Sequence, residues 1–301
     1  MNFTSKDVMT LRERTGVGMK ACADALKAAD GDMEKAIDVL REKGLAAQAK
    51  KAGRVAAEGM VYAMADEKVG VIVEVNSETD FVAKNERFQN FVKGVAAIVA
   101  AENPASVEAL QDCKMGEGTV AEALQANVLA IGENQSVRRF ARVEGTCVTY
   151  LHDNGRIGVL VEFDSTVSAD VLNTVGKDVA MQIASMNPEY LDDASVPASV
   201  IEHEREVLLA QIANDPKMAS KPDMVKEKMV DGRIRKFYEL NCLVNQEFIK
   251  NGDQTVAQYV AEAAKAAGGE LAIKSFIRYE RGEGIEKRQD DFAAEIAKMM
   301  G

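Results

Sequence analysis

The sequence predicts an α+β protein: a helical bundle, then a core that repeats one strand–strand–helix–strand unit, with a helical hairpin inserted in the second copy. Three observations predict it. Apolar residues recur at helical spacing through the first 54 positions, two later stretches match each other in order, and a segment around position 200 matches neither. The 301 residues are 47% apolar and 28% charged, enough for a sizeable core and typical of a helix-rich globular chain with some sheet.

The bundle comes first. SKDVMTLRER closes at Thr15-Gly16, a second helix runs from about residue 18 to 29, and a third from 32 to 43. Asp30-Gly31 makes the turn between the last two, and Gly44 reads as a C-terminal stop. Met19, Cys22, Ala25 and Leu26 share one helix face, as do Met33, Ile37 and Leu40. LAAQAKKAGRVAA then reads as a connector, so that residues 1–54 form a bundle and linker.

The repeat follows. Glu58-Gly59 leads to a strand, VGVIVEVN (69–76), and a helix, FQNFVKGVAAIVAA (88–101). Glu144-Gly145 leads to IGVLVEFD (157–164) and LNTVGKDVAMQIAS (172–185). SVRRFARVEG closes the first copy and AIKSFIRYERGEG the second, which suggests helices packed on antiparallel sheets with pseudo-twofold symmetry. The halves are expected over 55–143 and 144–285. Within the second, 187–246 reads as two antiparallel helices joined at NDPKMASKPD. Their stripes are narrow (Ile201, Leu208, Ile212 and Val230, Ile234, Phe237), so the hairpin should protrude. A last helix, DFAAEIAKMMG, is expected within 286–301.

Charge and motifs exclude several functions. The net charge is −11 and the pI about 4.9, against direct binding of nucleic acid. Residues 1–54 differ, with 11 Lys and Arg against 8 Asp and Glu. Four scattered cysteines and two histidines make a zinc cluster improbable and suggest reduced thiols in a cytoplasmic protein. MNFTSKDVMTLRER has no apolar h-region and no run approaches 18 apolar residues, so neither secretion nor membrane spanning is expected. TGVG (15–18) and RGEG (281–284) have too few features to cradle phosphates and read as turns. No cofactor, metal site or catalytic residue is expected.

One loop stands out. From strand to helix the first copy takes 11 residues, Ser77 to Arg87, and the second only seven, Ser165 to Val171. The surplus holds Thr79, Asp80, Phe81 and Val82. If Thr79 caps a short helical turn, Asp80 suits its N-terminus and Phe81 points outward. Phe81 could instead tuck into the core, although the second copy makes the same passage without an aromatic. His152, in YLHDNGRIG, belongs to a surface turn or to a partner contact.

LRERTGVGMKACADAL, KKAGRVAAEG, VEVNSETDFVAKNERF, RIGVLVEF and FIRYERGEGIEKRQDDFAAE together resemble the translation elongation factor Ts family, in order and over essentially the whole chain. The resemblance implies a guanine-nucleotide exchange factor for the GTPase elongation factor Tu. It implies a UBA-like bundle, a two-part core, a coiled-coil hairpin and a C-terminal helical module. It also implies that Thr79, Asp80, Phe81 and Val82 press on the GTPase, Phe81 wedging between its helices so that Mg²⁺ and then GDP are lost. Arg12, Met19 and His152 match further partner contacts. Lys20 departs from the family, which often has a second Met there, and Ser77 and Glu78 match too loosely to inherit a role. Two other classes stay open: an adaptor that uses the bundle alone, and a metal-dependent hydrolase, which the shortage of histidine disfavours.

Overall fold

The structure is a computed structural model and describes residues 2–286. The helix expected over DFAAEIAKMMG lies outside the described residues.

Three helices open the chain: α1 (Ser5–Thr15), α2 (Met19–Ala28) and α3 (Met33–Lys51). Thr4 and Asp7 close a capping box on α1, and Asp32 caps α3 through the Lys35 N–H. Leu11, Cys22, Ala25, Leu26, Ala36 and Leu40 are buried together, whereas Met19 stands outside this core at 41% exposure.

Gly44 does not end α3. The helix runs on to Lys51, through half of the stretch read as a connector. The reason is packing: Gly44 is buried against α7 (Val120–Ile131), where an added Cβ would lie 3.3 Å from Gln125. The missing side chain lets the two helices approach, and the bundle is fastened to the core through them.

The first half of the core runs β1 (Glu58–Ala65), β2 (Val69–Ser77), α4 (Asp80–Ala83), α5 (Glu86–Glu102), α6 (Val107–Asp112), β3 (Lys114–Met115), β4 (Gly118–Thr119), α7 and β5 (Gln135–Glu144). The second runs β6 (Thr146–His152), β7 (Ile157–Ser165), α8 (Ala169–Met186), α9 (Ala198–Asn214), α10 (Pro216–Ala219), α11 (Asp223–Asn241), β8 (Glu247–Phe248), β9 (Asn251–Thr255), α12 (Val256–Ala267) and β10 (Leu271–Glu280). The main sheets are antiparallel, ordered β1-β2-β5 and β10-β7-β6.

The sheets pack face to face on Val61, Ala63, Ile72, Cys147 and Leu160. Val71, Val73 and Val75 turn the other way, into a core shared with α5 and α7. Val159, Val161 and Phe163 do the same with α8 and α12. Burial on both faces explains why the two central strands read as unbroken apolar runs.

The repeat reaches further than the four elements predicted. The β3–β4 hairpin leading into α7 has a counterpart in β8–β9 and α12. Both helices start with a capping box, Thr119 with Glu122 and Thr255 with Gln258. TVAEAL and TVAQYV carried that signal.

Each half also places a glutamate opposite a β-bulge. Glu74 faces the register shift at Arg138, and Glu162 the shift at Lys274. Glu74 is fully buried and accepts from Arg139 Nε (2.6 Å), Gly282 N (2.8 Å), Arg138 Nη1 (2.9 Å) and Asn76 Nδ2 (3.1 Å). Burial works to raise its pKa, but the Gly282 N–H, Asn76 and the two guanidinium groups outweigh it and hold the carboxyl below its usual range. The Gly282 bond ties the RGEG turn of the second half to the first. Glu162 is more open, held by Lys274 (2.7 Å) and Ser275 (2.9 Å).

The inserted hairpin, α9 to α11, has its own thin core of Leu208, Ile212, Val230 and Ile234. Tyr238 joins it where Phe237 was expected, because the residue one turn beyond Ile234 is 238. All four cysteines are free, and burial pushes the thiols of Cys147 and Cys242 up to about 11.

Candidate functional site

The β2-to-α5 passage is a short helix pinned at its entry. Ser77 Oγ donates to the Thr79 carbonyl (3.0 Å). Glu78 accepts from the Asn134 N–H (2.5 Å) and faces Arg54 Nη1 (3.4 Å), while Asn134 Nδ2 donates to the Arg54 carbonyl (2.8 Å). Thr79 gives its N–H (2.9 Å) and its hydroxyl (2.7 Å) to the two oxygens of Glu133. The segment just before β5 thereby clamps two consecutive residues, Glu78 and Thr79, and Ser77 braces the second from within the passage. Asn85 ends the passage by capping α5 through the N–H groups of Arg87 and Phe88.

Thr79 stands at the N-cap of α4 but makes no capping bond. Its hydroxyl is committed to Glu133, so a clamp from another segment does the work expected of a local cap. Asp80 opens the helix and is exposed. Phe81 is 76% exposed, the most exposed of the large apolar side chains among the described residues.

Val82 is 3% exposed and packs in the first-half core with Phe88 and Val92. The reason is helical geometry: successive side chains on a helical turn point about 100° apart, so Val82 can face the core while Phe81 faces out. Of the four residues predicted, the surface offers Asp80 and Phe81, and Thr79 and Val82 hold them there.

Arg87, in the first turn of α5, ties this passage to the bundle. Its Nη2 donates to the Thr15 carbonyl (2.9 Å) and its Nε to Asn127 Oδ1 (2.6 Å). Gly16 makes room: it has φ +66°, and a Cβ there would fall 1.5 Å from Arg87 Nη1. The TGVG turn is therefore a docking point. Arg12, exposed in the last turn of α1, and Met19, the first residue of α2, flank it. Sequence reasoning missed Arg87, Glu133 and Asn134, whose partners lie 40 to 72 residues away for Arg87 and 54 to 80 away for the other two.

His152 belongs to the second sheet. It ends β6, is exposed, and lies 3.1 Å through Nδ1 from the Tyr150 hydroxyl. The turn after it, residues 153–155, lies against β1, where a Cβ on Gly155 would come 2.5 Å from the Val61 carbonyl. No group of three or more His, Cys, Asp or Glu among the described residues is placed to hold a metal ion. No described helix is long and apolar enough to cross a membrane.

Residues 78–283 match the family model described as Elongation factor TS. Elongation factor Ts of Clostridium perfringens strain 13 is 50% identical over 305 residues, covering 99% of each chain. That of Symbiobacterium thermophilum is 50% identical over 310 residues, covering 99% of this chain and 98% of its own. That of Clostridium botulinum strain Eklund 17B is 47% identical over 305 residues, covering 99% of each. With a family model spanning most of the chain and relatives aligned from end to end, the chain belongs to the elongation factor Ts family of translation elongation factors.

Proposed function

We propose that this protein is a cytoplasmic guanine-nucleotide exchange factor for elongation factor Tu. It binds the GDP-bound GTPase, displaces Mg²⁺ and promotes GDP release so that GTP can enter. The observation that carries the reading is Phe81: a large apolar side chain, 76% exposed, on a turn clamped through Ser77, Glu78 and Thr79. Exposing it is unfavourable for the free protein, and a partner that buries it recovers that free energy. Asp80 and Phe81 form the pressing surface, with Thr79 and Val82 as supports. Arg12 and Met19 extend the contact along the docked bundle, and His152 adds the second half of the core. In this reading the bundle is UBA-like and the α9–α11 pair is a coiled coil.

Exchange follows from linkage. A factor that binds the nucleotide-free GTPase more tightly than the GDP form must weaken GDP binding by the same ratio. No bond in a substrate is made or broken, so the protein is not an enzyme of bond chemistry. Neither nucleic acid nor membrane takes part directly.

The test is the release of a fluorescent GDP from elongation factor Tu, followed with and without this protein under excess unlabelled nucleotide. Acceleration that grows with factor concentration and saturates is the expected result. Binding without acceleration would replace exchange with an adaptor role, and absence of both would remove the partner.

A further inference from the structure

A chain of hydrogen bonds runs from the Phe81 turn to the bundle. The Asn85 N–H donates to the Val82 carbonyl (2.9 Å), and Asn85 Oδ1 accepts from the Arg87 N–H (2.9 Å). Arg87 Nη2 donates to the Thr15 carbonyl (2.9 Å), and the Gly16 N–H closes on the Arg12 carbonyl (2.6 Å). The chain joins α4, which presents Asp80 and Phe81, to the last turn of α1, which presents Arg12, with Met19 just beyond.

Arg87 is the link that crosses between segments. It stands on the core wall of a cleft of about 410 Å³, whose bundle wall includes Thr15, Val17 and Leu40. Asn127 Oδ1 fixes its Nε (2.6 Å) while Nη2 reaches over to Thr15. Both acceptors are neutral carbonyl oxygens, so the guanidinium serves as a rigid fork that holds two donors at a set angle. Its charge also suits the C-terminal end of α1. Among the described residues, two ion pairs also span the cleft, Arg14 to Glu117 (3.9 Å) and Arg41 to Glu122 (3.8 Å). They are long and open to solvent, where such pairs contribute little. The bundle rests on the core through α3 and α7, and the cleft beside that contact leaves it room to tilt.

We propose that Arg87 is a positioning residue for exchange: it sets the orientation of the bundle, and so of Arg12 and Met19, relative to Phe81. The inference rests on the exchange reading above. A GTPase that meets both surfaces at once gains from finding them prealigned, because no binding free energy goes into bringing the bundle to its place.

Two variants break the bracket from opposite sides. Arg87→Lys keeps the charge and most of the stem, yet one ammonium cannot hold Asn127 and Thr15 along the two directions of the fork. Gly16→Ala leaves Arg87 unchanged, but a Cβ there would lie 1.5 Å from Arg87 Nη1, so the guanidinium must move away. The first measurement is of residual dipolar couplings from backbone amides of the full chain alone, labelled with nitrogen-15. One alignment should describe α1, α2, α5 and α7 together in the parent, whereas in either variant α1 and α2 should need their own. The second is release of fluorescent GDP from elongation factor Tu over a range of factor concentrations. In both variants the concentration for half-maximal acceleration should rise at least about threefold while the limiting rate stays within about twofold, since prealignment acts on binding. Met19→Ala should raise that concentration in the parent by a factor that shrinks toward one in the Arg87→Lys background, while Phe81→Ala should cost the same factor in both. A role in stability alone would leave both effects unchanged. A single alignment in both variants, an unchanged half-maximal concentration, or a full Met19 effect without the bracket would each overturn the assignment and leave exchange standing. A parent that does not accelerate release would remove the exchange reading, and this inference with it.

Discussion

Replacing Phe81 by alanine separates an exposed wedge from a core residue, because the two make opposite demands on stability and function. Burying a phenylalanine side chain contributes about 1.5–3 kcal/mol. With 76% of the residue open to solvent in the free protein, about 1.1–2.3 kcal/mol of that remains for a partner to realise. At about 1.4 kcal/mol per factor of ten, Phe81→Ala should slow factor-stimulated GDP release about 6- to 50-fold at subsaturating factor. Its own stability should change by less than about 0.5 kcal/mol, since no buried contact is lost. Stopped-flow release of fluorescent GDP gives the first quantity and denaturant unfolding of the variant the second. A variant within about twofold of the parent in release would refute the wedge while leaving exchange through other contacts. A variant that loses several kcal/mol of stability would show that Phe81 is packed after all.

Val82→Ala is the complementary change: it removes two buried methyl groups and should cost about 2 kcal/mol in denaturant unfolding, because Val82 is 3% exposed in the first-half core. Glu133→Gln keeps one acceptor but gives up a charge-assisted pair with Thr79. The Thr79 amide should then exchange with deuterium about tenfold faster, and GDP release should slow with little change in the unfolding midpoint. Glu74→Gln and Glu162→Gln should differ sharply. The first strands two guanidinium groups beside a fully buried site and should cost about 3 kcal/mol, while the second breaks pairs to a half-exposed lysine and should cost under about 1 kcal/mol. The Glu74 pKa is depressed on folding, so its contribution is complete above the ordinary glutamate pKa of about 4.3 and is lost as pH falls through the lower folded value. Unfolding midpoints of the parent should therefore fall below about pH 4.3, with Glu74→Gln showing less of that acid loss.

Local patterns carried most of the fold, and contacts across long stretches of chain decided the rest. Apolar runs downstream of matching Glu-Gly pairs marked the central strands, and helical spacing marked α5 and α8. Gly44 misled because a glycine that ends a helix and one that lets two helices touch look alike in sequence; only the position of Gln125 on α7 tells them apart. The second hairpin-helix pair escaped notice because β3, β4 and β8 are two residues long, too short for any period. At the candidate site, Phe81 stood out by comparison of the two copies. Val82 did not reveal its burial, since a single helical turn has no periodicity to read. Glu133, Asn134 and Arg87 were invisible because their roles depend on residues brought near only by the fold.

The two copies show what the extra residues of the first accomplish. The second copy passes from β7 to α8 through residues 166–168, with Ser168 capping the helix, and presents nothing. The first inserts α4 and then holds it with four side chains, Ser77, Glu78, Thr79 and Glu133, and the Asn134 N–H. A free loop would have to be ordered on binding, at about 1–2 kcal/mol of backbone entropy for each residue fixed. Over the four residues 79–82 that would exceed what Phe81 can contribute. Fixing the turn beforehand places that cost in folding, where the buried Val82 and the Glu133 clamp offset it. The free energy of burying Phe81 is then left for the partner, and it counts toward exchange only so far as the nucleotide-free GTPase buries the ring more fully than the GDP form. An exposed aromatic on a mobile loop would be a weak contact; on a clamped turn it can discriminate between two states of another protein.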